Sequence, residues 1–525
     1  MLKCKPYDDI AWAISTQIWE DWPRLLATDA VIYNDIGVIL SKEFSDLKRA
    51  LFDYHSRGGF NTCFKMEFTN NYAAVIRFPV PGAVMFPEEK IRNEVSTMQF
   101  LLEKSSDKIP IPLPSVFRWA ETKESPSDLG PFIIMDYIHH KGSMVDLLQT
   151  PGLEGRQPPV LNPALKPARL GALYGKLANI VLSLSTLSFN RIGSLTKHDK
   201  DSTWEVLHRP LSYSMNEIVQ LGTLPRSKLP TSTYDNASSY FEALADLHIS
   251  HLGSQRNEAD VEDDVEADVL ADDIRRKFVA RFLFRKLIRD QELRKQWIFH
   301  DNGPFPVWCD DFRPENVLVD EAESIAGVVD WEFTYTAPAE FSHAPPWWLL
   351  LKKPEDWSKG PDDWCMEYEK PLQIFLEAMR KCEDEAILEK RLVEGQRLSS
   401  RMRDSWQSGD FWIMYAARNN FAFDAVYWKK IDQRFFGPTT YEGDNIDDVW
   451  RKRLHLLESG EKELMEEYVA LKLKERNTYC LAWDADEYTL GWMKRMREKR
   501  WKEEKEKKAA EGEGEGDIPS GPDIE

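Results

Sequence analysis

Paired cysteines are the first absence. The chain has six, Cys4, Cys63, Cys309, Cys365, Cys382 and Cys480, scattered through 525 residues with no zinc-ligand or disulfide spacing, so they read as reduced thiols of an intracellular protein. Long apolar runs are missing too: nothing approaches the ~18 uninterrupted apolar residues of a membrane span. The start, Met1 to Trp12, lacks the apolar stretch of a secretory signal, and a cytoplasmic address is the default expectation. Positive charge is in deficit. A net charge of -20 argues against a nucleic-acid partner, which needs a basic face, and keeps cationic molecules among the candidate partners. No internal repeat, Ser-His-Asp arrangement or metal-ligating His pair stands out, and His343 reads as a packing or solvent-facing residue. A chain of this length is expected to form two lobes with additions rather than one core.

What is present centres on Val307 to Phe333, read as VWCDDFRPENVLVDEAESIAGVVDWEF. Asp311 stands five positions before Asn316. A short apolar run, a polar turn and a second apolar run follow, and then Asp330. The runs Val317 to Val319 and Ile325 to Val329, split by the acidic turn Asp320 to Ser324, predict a two-stranded hairpin that brings Asn316 and Asp330 to one end. This order suits phosphoryl transfer: one carboxylate takes or orients the proton of an attacking hydroxyl, while an amide oxygen and a second carboxylate hold Mg²⁺. Hard oxygen ligands, few in number, are what Mg²⁺ accepts.

Cys309-Asp310-Asp311-Phe312-Arg313-Pro314-Glu315-Asn316, with Gly327-Val328-Val329-Asp330-Trp331-Glu332, resembles the catalytic and metal loops of the aminoglycoside phosphotransferase and choline kinase superfamily, distant relatives of protein kinases, and most of all its fungal branch. That family usually reads His-Gly-Asp-x-x-x-x-Asn and then Ile-Asp-Trp-Glu. Cys309 replaces the His that braces the metal loop, and Asp310 replaces Gly. A carboxylate beside Asp311 is expected to raise its neighbour's pKa or compete for the metal. The resemblance implies Asp311 as base, Asn316 and Asp330 as Mg²⁺ ligands, and Arg313 as an offset to charge near the transferred group.

Upstream, residues 8 to 53 show amphipathic helical spacing, with Trp12, Trp19 and Trp22 read as packing residues. Gly58-Gly59 then precedes a strand. Adjacent glycines permit close approach to a phosphate, although from the pair alone a plain β-turn is the favoured reading, and only its place ahead of the next strand lifts the phosphate reading. By the resemblance, Arg77, ending the apolar strand Tyr72 to Pro79, holds nucleotide phosphates, and Glu94, on the helix Glu88 to Lys104, pairs with it. Met135, Asp136, Tyr137 and Ile138 become the hinge that offers backbone groups to adenine. Gly193-Ser194-Leu195, after a helix over 167–190, is a structural loop. Residues 257–273 form an acidic insertion, solvated or disordered, without the spacing of a calcium loop. Basic residues from Arg275 to Arg285 follow on a helix able to pair with it. Among the late helices, Trp412, Tyr415, Asn419, Phe423 and Asp424 are candidate acceptor contacts by the resemblance, with core packing the favoured reading for most of them.

The expected fold is α+β and bilobal, protein-kinase-like: a helical extension 1–39, a small β-rich N-lobe 40–136, a mainly helical C-lobe 137–500, and a charged tail 501–525 whose composition from about 509 predicts disorder. The expected function is ATP-dependent, Mg²⁺-assisted phosphorylation of a small-molecule hydroxyl. The alternative is a catalytically silent nucleotide-binding scaffold. A protein kinase is disfavoured because no Ala-Pro-Glu segment follows Asp330.

Overall fold

The computed structural model describes residues 9–105, 111–125, 129–152, 158–198, 203–255, 267–438, 448–475 and 485–511. Helices α1 (Asp9–Thr28) and α2 (Ala30–Glu43) come first. The second is started by Asp29, whose side chain accepts the N–H groups of Val31 and Ile32. The expected helical stretch over residues 8–53 ends at Glu43, and β1 (Arg49–Arg57) replaces its last part. The reason is period two rather than 3.6: Leu51 faces solvent while Phe52 is buried. Strands β2 (Asn61–Phe68) and β3 (Ala73–Pro79), helix α3 (Pro87–Ser105), and strands β4 (Val116–Ala120) and β5 (Phe132–Asp136) complete the N-lobe. Pro87 opens α3 and Glu88 and Glu89 occupy its first turn, which suits the positive end of the helix dipole.

The five strands form one antiparallel sheet ordered β1-β2-β3-β5-β4. Every residue of the central strand β3 is buried, as its unbroken apolar run requires. Arg77 is the exception in polarity, placed opposite Cys63 on one side and Ile133 on the other.

The C-lobe is mainly helical. It contains α4 (Pro167–Ser185), α5 (Tyr213–Gln220), α6 (Ala237–Ser254) and α7 (Ala267–Arg289), then short strands β6 (Phe305–Cys309), β7 (Val317–Val319), β8 (Ile325–Val328) and β9 (Thr334–Thr336). Helices α8 (Pro361–Leu388), α9 (Asp410–Arg418), α10 (Ser459–Glu475) and α11 (Glu487–Glu511) follow. The β7/β8 hairpin pairs as expected, Val317 opposite Val328. The whole is an α+β fold with a β-sheet N-lobe and a large, mainly helical C-lobe, as expected in outline. No helix among the described residues is long and apolar enough to cross a membrane.

Two expected boundaries are corrected. Residues 257–266 of the acidic insertion lie outside the described residues, but from Ala267 the chain is helix, with Asp272 and Asp273 paired to Arg275, Arg276 and Lys277. The charged tail is helical through Glu511, because Lys, Arg and Glu are good helix formers even without a core to join. The first turns of α11 also belong to the N-lobe: Tyr488, Trp492 and Met496 are buried in one cluster with Trp22, Ile39 and Phe64. A C-lobe ending at 500 therefore does not describe the packing.

Candidate active site

A cavity of about 990 Å³ lies between the sheet and the C-lobe. Val75, Met135, Leu318 and Val329 give it an apolar slot, while Gly58, Gly59, Arg77, Asp311, Asn316 and Asp330 line its polar end. Met135, Asp136, Tyr137 and Ile138 also line it. At least two of the four hinge N–H groups are already taken: that of Asp136 by the Ser115 carbonyl and that of Tyr137 by the Ala73 carbonyl, each at 3.0 Å. The hinge thus offers a base fewer backbone groups than the sequence pattern alone implies.

Gly58 and Gly59 connect β1 to β2, and the turn is closed by the Gly58 N–H on the Asn61 carbonyl at 2.8 Å. Neither glycine has a positive φ. A Cβ at Gly59 would meet nothing within 4 Å, and one at Gly58 only the Asn61 carbonyl at 3.9 Å. The fold itself demands neither glycine, so their use is open for close approach by a ligand.

Arg77, only 2% exposed, is ion-paired to Glu94 and, at 2.5 Å, to Asp330. Burial works against its charge, and the two carboxylates more than offset it, holding the guanidinium proton above its ordinary range. The Arg77 and Glu94 partners expected from sequence are therefore brought together. Asp330 sits at a left-handed φ of 59° directly after the hairpin. Burial raises its pKa to about 6 against the opposing pull of Arg77.

Asp311 follows β6, on a loop held by backbone pairing of Cys309 with Thr334 in β9 and by the Asp310 N–H on the Phe333 carbonyl at 3.1 Å. That pairing joins the loop after β6 to the segment after β8, with Cys309 at the junction. Burial raises the Asp311 pKa to about 7; Arg313, at 3.3 Å, pulls it down, while Glu332 and Asp330 push it up. Asn316 donates from Nδ2 to the Asp311 carbonyl at 2.9 Å, which leaves its Oδ1 as the ligand-facing atom, and its own carbonyl accepts the Val329 N–H at 3.0 Å. Asp310 does not face the metal loop as its sequence position suggested. Its side chain is engaged elsewhere, by the Trp308 Nε1–H at 3.0 Å, the Tyr213 N–H at 3.1 Å and Arg418 at 3.6 Å.

Sequence reasoning missed several groups here. Lys90, Asn61 and Glu332 form a buried polar cluster behind Arg77: Lys90 pairs with Glu332, and Asn61 bonds to both. The signal for Lys90 was its place four residues before Glu94, on the same helix face. Trp12 and Trp19, read as packing residues, line the cavity from α1 together with Ser15 and Thr16, and only Trp22 is buried in the core. Trp19 donates from Nε1 to the Gly58 carbonyl at 3.3 Å. Across from α1, helix α5 contributes Tyr213 and Glu217; burial raises the Glu217 pKa to about 7.

The proposed acceptor contacts in the late helices are not at this cavity. Trp412, Tyr415 and Phe423 are buried in the C-lobe core, Asn419 donates to the Tyr415 carbonyl, and Asp424 is bidentate to Arg281. Core packing is the reading that holds.

No described group of three or more His, Cys, Asp or Glu side chains is arranged as a metal centre. The Asn316 and Asp330 oxygens fit a different type: Mg²⁺ that keeps most of its waters and takes only one or two protein ligands.

No family model matches this chain. A curated relative, "Altered inheritance of mitochondria protein 9, mitochondrial" of Yarrowia lipolytica, is 24% identical over 324 residues, 57% of this chain and 52% of the relative, so the chain spans about half the length of that protein. Among solved structures, a Plasmodium vivax ethanolamine kinase superposes with a TM-score of 0.37 at 11% identity, covering 81% of this chain and 85% of its own. An aminoglycoside phosphotransferase crystallised with AMP-PNP and hygromycin B gives 0.34 at 13% identity, covering 74% and 96%. At these scores the superpositions are partial.

Proposed function

We propose that this protein transfers the γ-phosphoryl group of ATP to a hydroxyl of a small molecule. The observation that carries the proposal is the convergence of Arg77 with Glu94, Asp311, Asn316 and Asp330 on one end of a single cavity. The apolar slot suits a nucleotide base, and the Gly58-Gly59 turn and Arg77 suit its phosphates. Asp311, with a pKa raised to about 7, takes or orients the acceptor hydroxyl proton near neutral pH. Arg313 lies against Asp311 and offsets charge beside the transferred group. Asn316 Oδ1 and Asp330 would hold Mg²⁺, which supplies charge neutralisation of the phosphates when bound. The acceptor enters on the side of Asp311, between α1 and α5, where Trp12, Tyr213 and Glu217 line the wall.

One observation favours a second reading, a nucleotide-binding scaffold without turnover: Arg77 is closed onto Asp330, the carboxylate the metal needs. Calorimetry with Mg-ATP tests the shared part. Wild type binds, and Asp330→Ala loses or greatly weakens binding; undiminished affinity overturns the site assignment. A panel of amines, amino alcohols, sugars and aminoglycosides then separates the readings, because a scaffold consumes no ATP with any of them.

A further inference from the structure

Among the described residues, Lys90 is the one ammonium that touches all three pieces of the site's phosphate end. It lies on the first turns of α3, one turn before Glu94, with its side chain fully buried. It donates to Asn61 Oδ1 at 2.9 Å, pairs closely with Glu332, and lies 3.7 Å from the far oxygen of Glu94. Each partner belongs to a different working part. Asn61 closes the Gly58-Gly59 turn through its carbonyl, Glu332 stands two residues after Asp330, and Glu94 holds Arg77. A bond from Asn61 Nδ2 to Glu332 at 3.0 Å shuts the triangle.

A buried ammonium loses its hydration, a cost that ion pairing only partly returns. An apolar side chain at this position would avoid that cost, but the two loops, 271 residues apart in sequence, would then keep only the direct Asn61–Glu332 bond. What the charge adds is a single group that holds Asn61, Glu332 and Glu94 together. Arg77 cannot do the same work, since it is already shared between Glu94 and Asp330 and must turn to the nucleotide phosphates in the phosphotransfer reading.

We propose that Lys90 is a positioning residue: it fixes the glycine turn, the Arg77–Glu94 pair and the metal loop relative to one another, so that nucleotide phosphates and Mg²⁺ meet a preformed site. The proposal rests on the phosphotransfer reading for its purpose, but its structural content is testable without a ligand. Lys90→Met keeps most of the volume and removes the charge. In the empty full-length protein, hydrogen exchange is expected to rise in residues 56–61 and in residues 329–333 together. Mg-ATP affinity is expected to fall by about 10-fold to 100-fold, while affinity for adenosine, which has no phosphates, stays the same. Exchange that rises only within α3, or Mg-ATP affinity equal to wild type, overturns the proposal and leaves Lys90 a local structural ion. If Lys90→Met does not fold, Asn61→Ala and Glu332→Gln each cut one arm of the triangle. Each is expected to loosen the loop that carries the other residue, and unchanged exchange there overturns the proposal. If wild type binds neither adenosine nor Mg-ATP, the phosphotransfer reading fails, and the exchange pattern alone decides the role of Lys90.

Discussion

Two regions of this protein bury charge, and they do so in opposite ways. In the C-lobe, Arg281 meets both oxygens of Asp424 at 2.6 and 2.9 Å and donates from Nε to the His248 carbonyl at 3.0 Å. Burial opposes ionisation of Asp424, yet Arg281 more than offsets it and holds the carboxyl well below the usual carboxylate range. In the cleft the outcome is reversed: burial pushes Asp311 and Glu217 up to about 7 and Asp330 up to about 6 despite the cations nearby. The C-lobe pair is complete within the protein. For the cleft acids burial remains the largest influence even with Arg77 and Arg313 at hand, a pattern that supports the proposed phosphotransfer site over a purely structural ion pair.

The sharpest way to break this comparison is at Asp311. Asp311→Asn keeps the size and most hydrogen bonds but cannot take a proton, so turnover is expected to fall by about 10²-fold to 10⁴-fold with Mg-ATP affinity retained. Steady-state kinetics on an active acceptor, paired with calorimetry, measures both. Arg281→Met tests the other region. It leaves the half-buried Asp424 without its bidentate partner, with an expected loss of about 1.5 to 3 kcal/mol in denaturant unfolding; a loss under about 1 kcal/mol would show that the C-lobe pair is no more than a surface bridge.

Titration separates the regions further. Burial and Arg281 lower the pKa of His248 and His251 to about 3. The unfolded chain takes up those protons below pH 6.5 and the native protein does not, so this part of the stability is full above about 6.5 and is lost as pH falls toward 3. Asp311 and Glu217 have the other sign. Their folded pKa values are raised, so their contribution is fully present below the unfolded values near 4 and is lost as pH rises through about 7. Asp311→Asn should therefore melt a few degrees above wild type at pH 8, and the gain should vanish by about pH 4. A gain independent of pH would mean that Asp311 carries no burial penalty. The smallest effect is expected from truncation after Lys508, which removes only the last helical residues and the Glu-Gly tail: the melting temperature should stay within about a degree. Removing everything from Glu487 should instead lower it sharply, since Tyr488 and Trp492 leave the N-lobe core.

The parts of the site readable from sequence are those whose chemistry fixes a short spacing. Asp311 and Asn316 share one loop, Asp330 ends the hairpin that begins at Asn316, and Arg77 and Glu94 lie on consecutive elements of the N-lobe. Lys90 was hidden because a lysine near a helix start ordinarily lies on a solvated face, and only the fold turns that face inward toward Glu332. Trp12 looked like core for a similar reason, since an amphipathic face does not say whether protein or cavity lies against it, while Trp19 both packs against the N-lobe core as expected and lines the cavity. The partner that engages Asp424, Arg281, could not be named from sequence, because it lies 143 residues away. The helical course of α11 was masked by composition, which reports the lack of a core but not whether another lobe's core is within reach.

The turn after β3 is held from both flanks. The Ser15 hydroxyl of α1 donates to the Gly82 carbonyl at 3.0 Å, the Gly82 N–H donates to the Thr489 hydroxyl of α11 at 3.0 Å, and the Tyr488 hydroxyl donates to the Pro79 carbonyl at 2.9 Å. The Thr489 contact spans 407 residues of sequence. The strand bearing Arg77 is made early by the ribosome, yet it cannot acquire its full set of neighbours until Trp492 has left the exit tunnel. At about 5 to 20 residues per second that is a wait on the order of 20 to 80 seconds. Throughout that interval the nascent N-lobe presents an unfinished apolar surface where Trp22 will later meet Trp492.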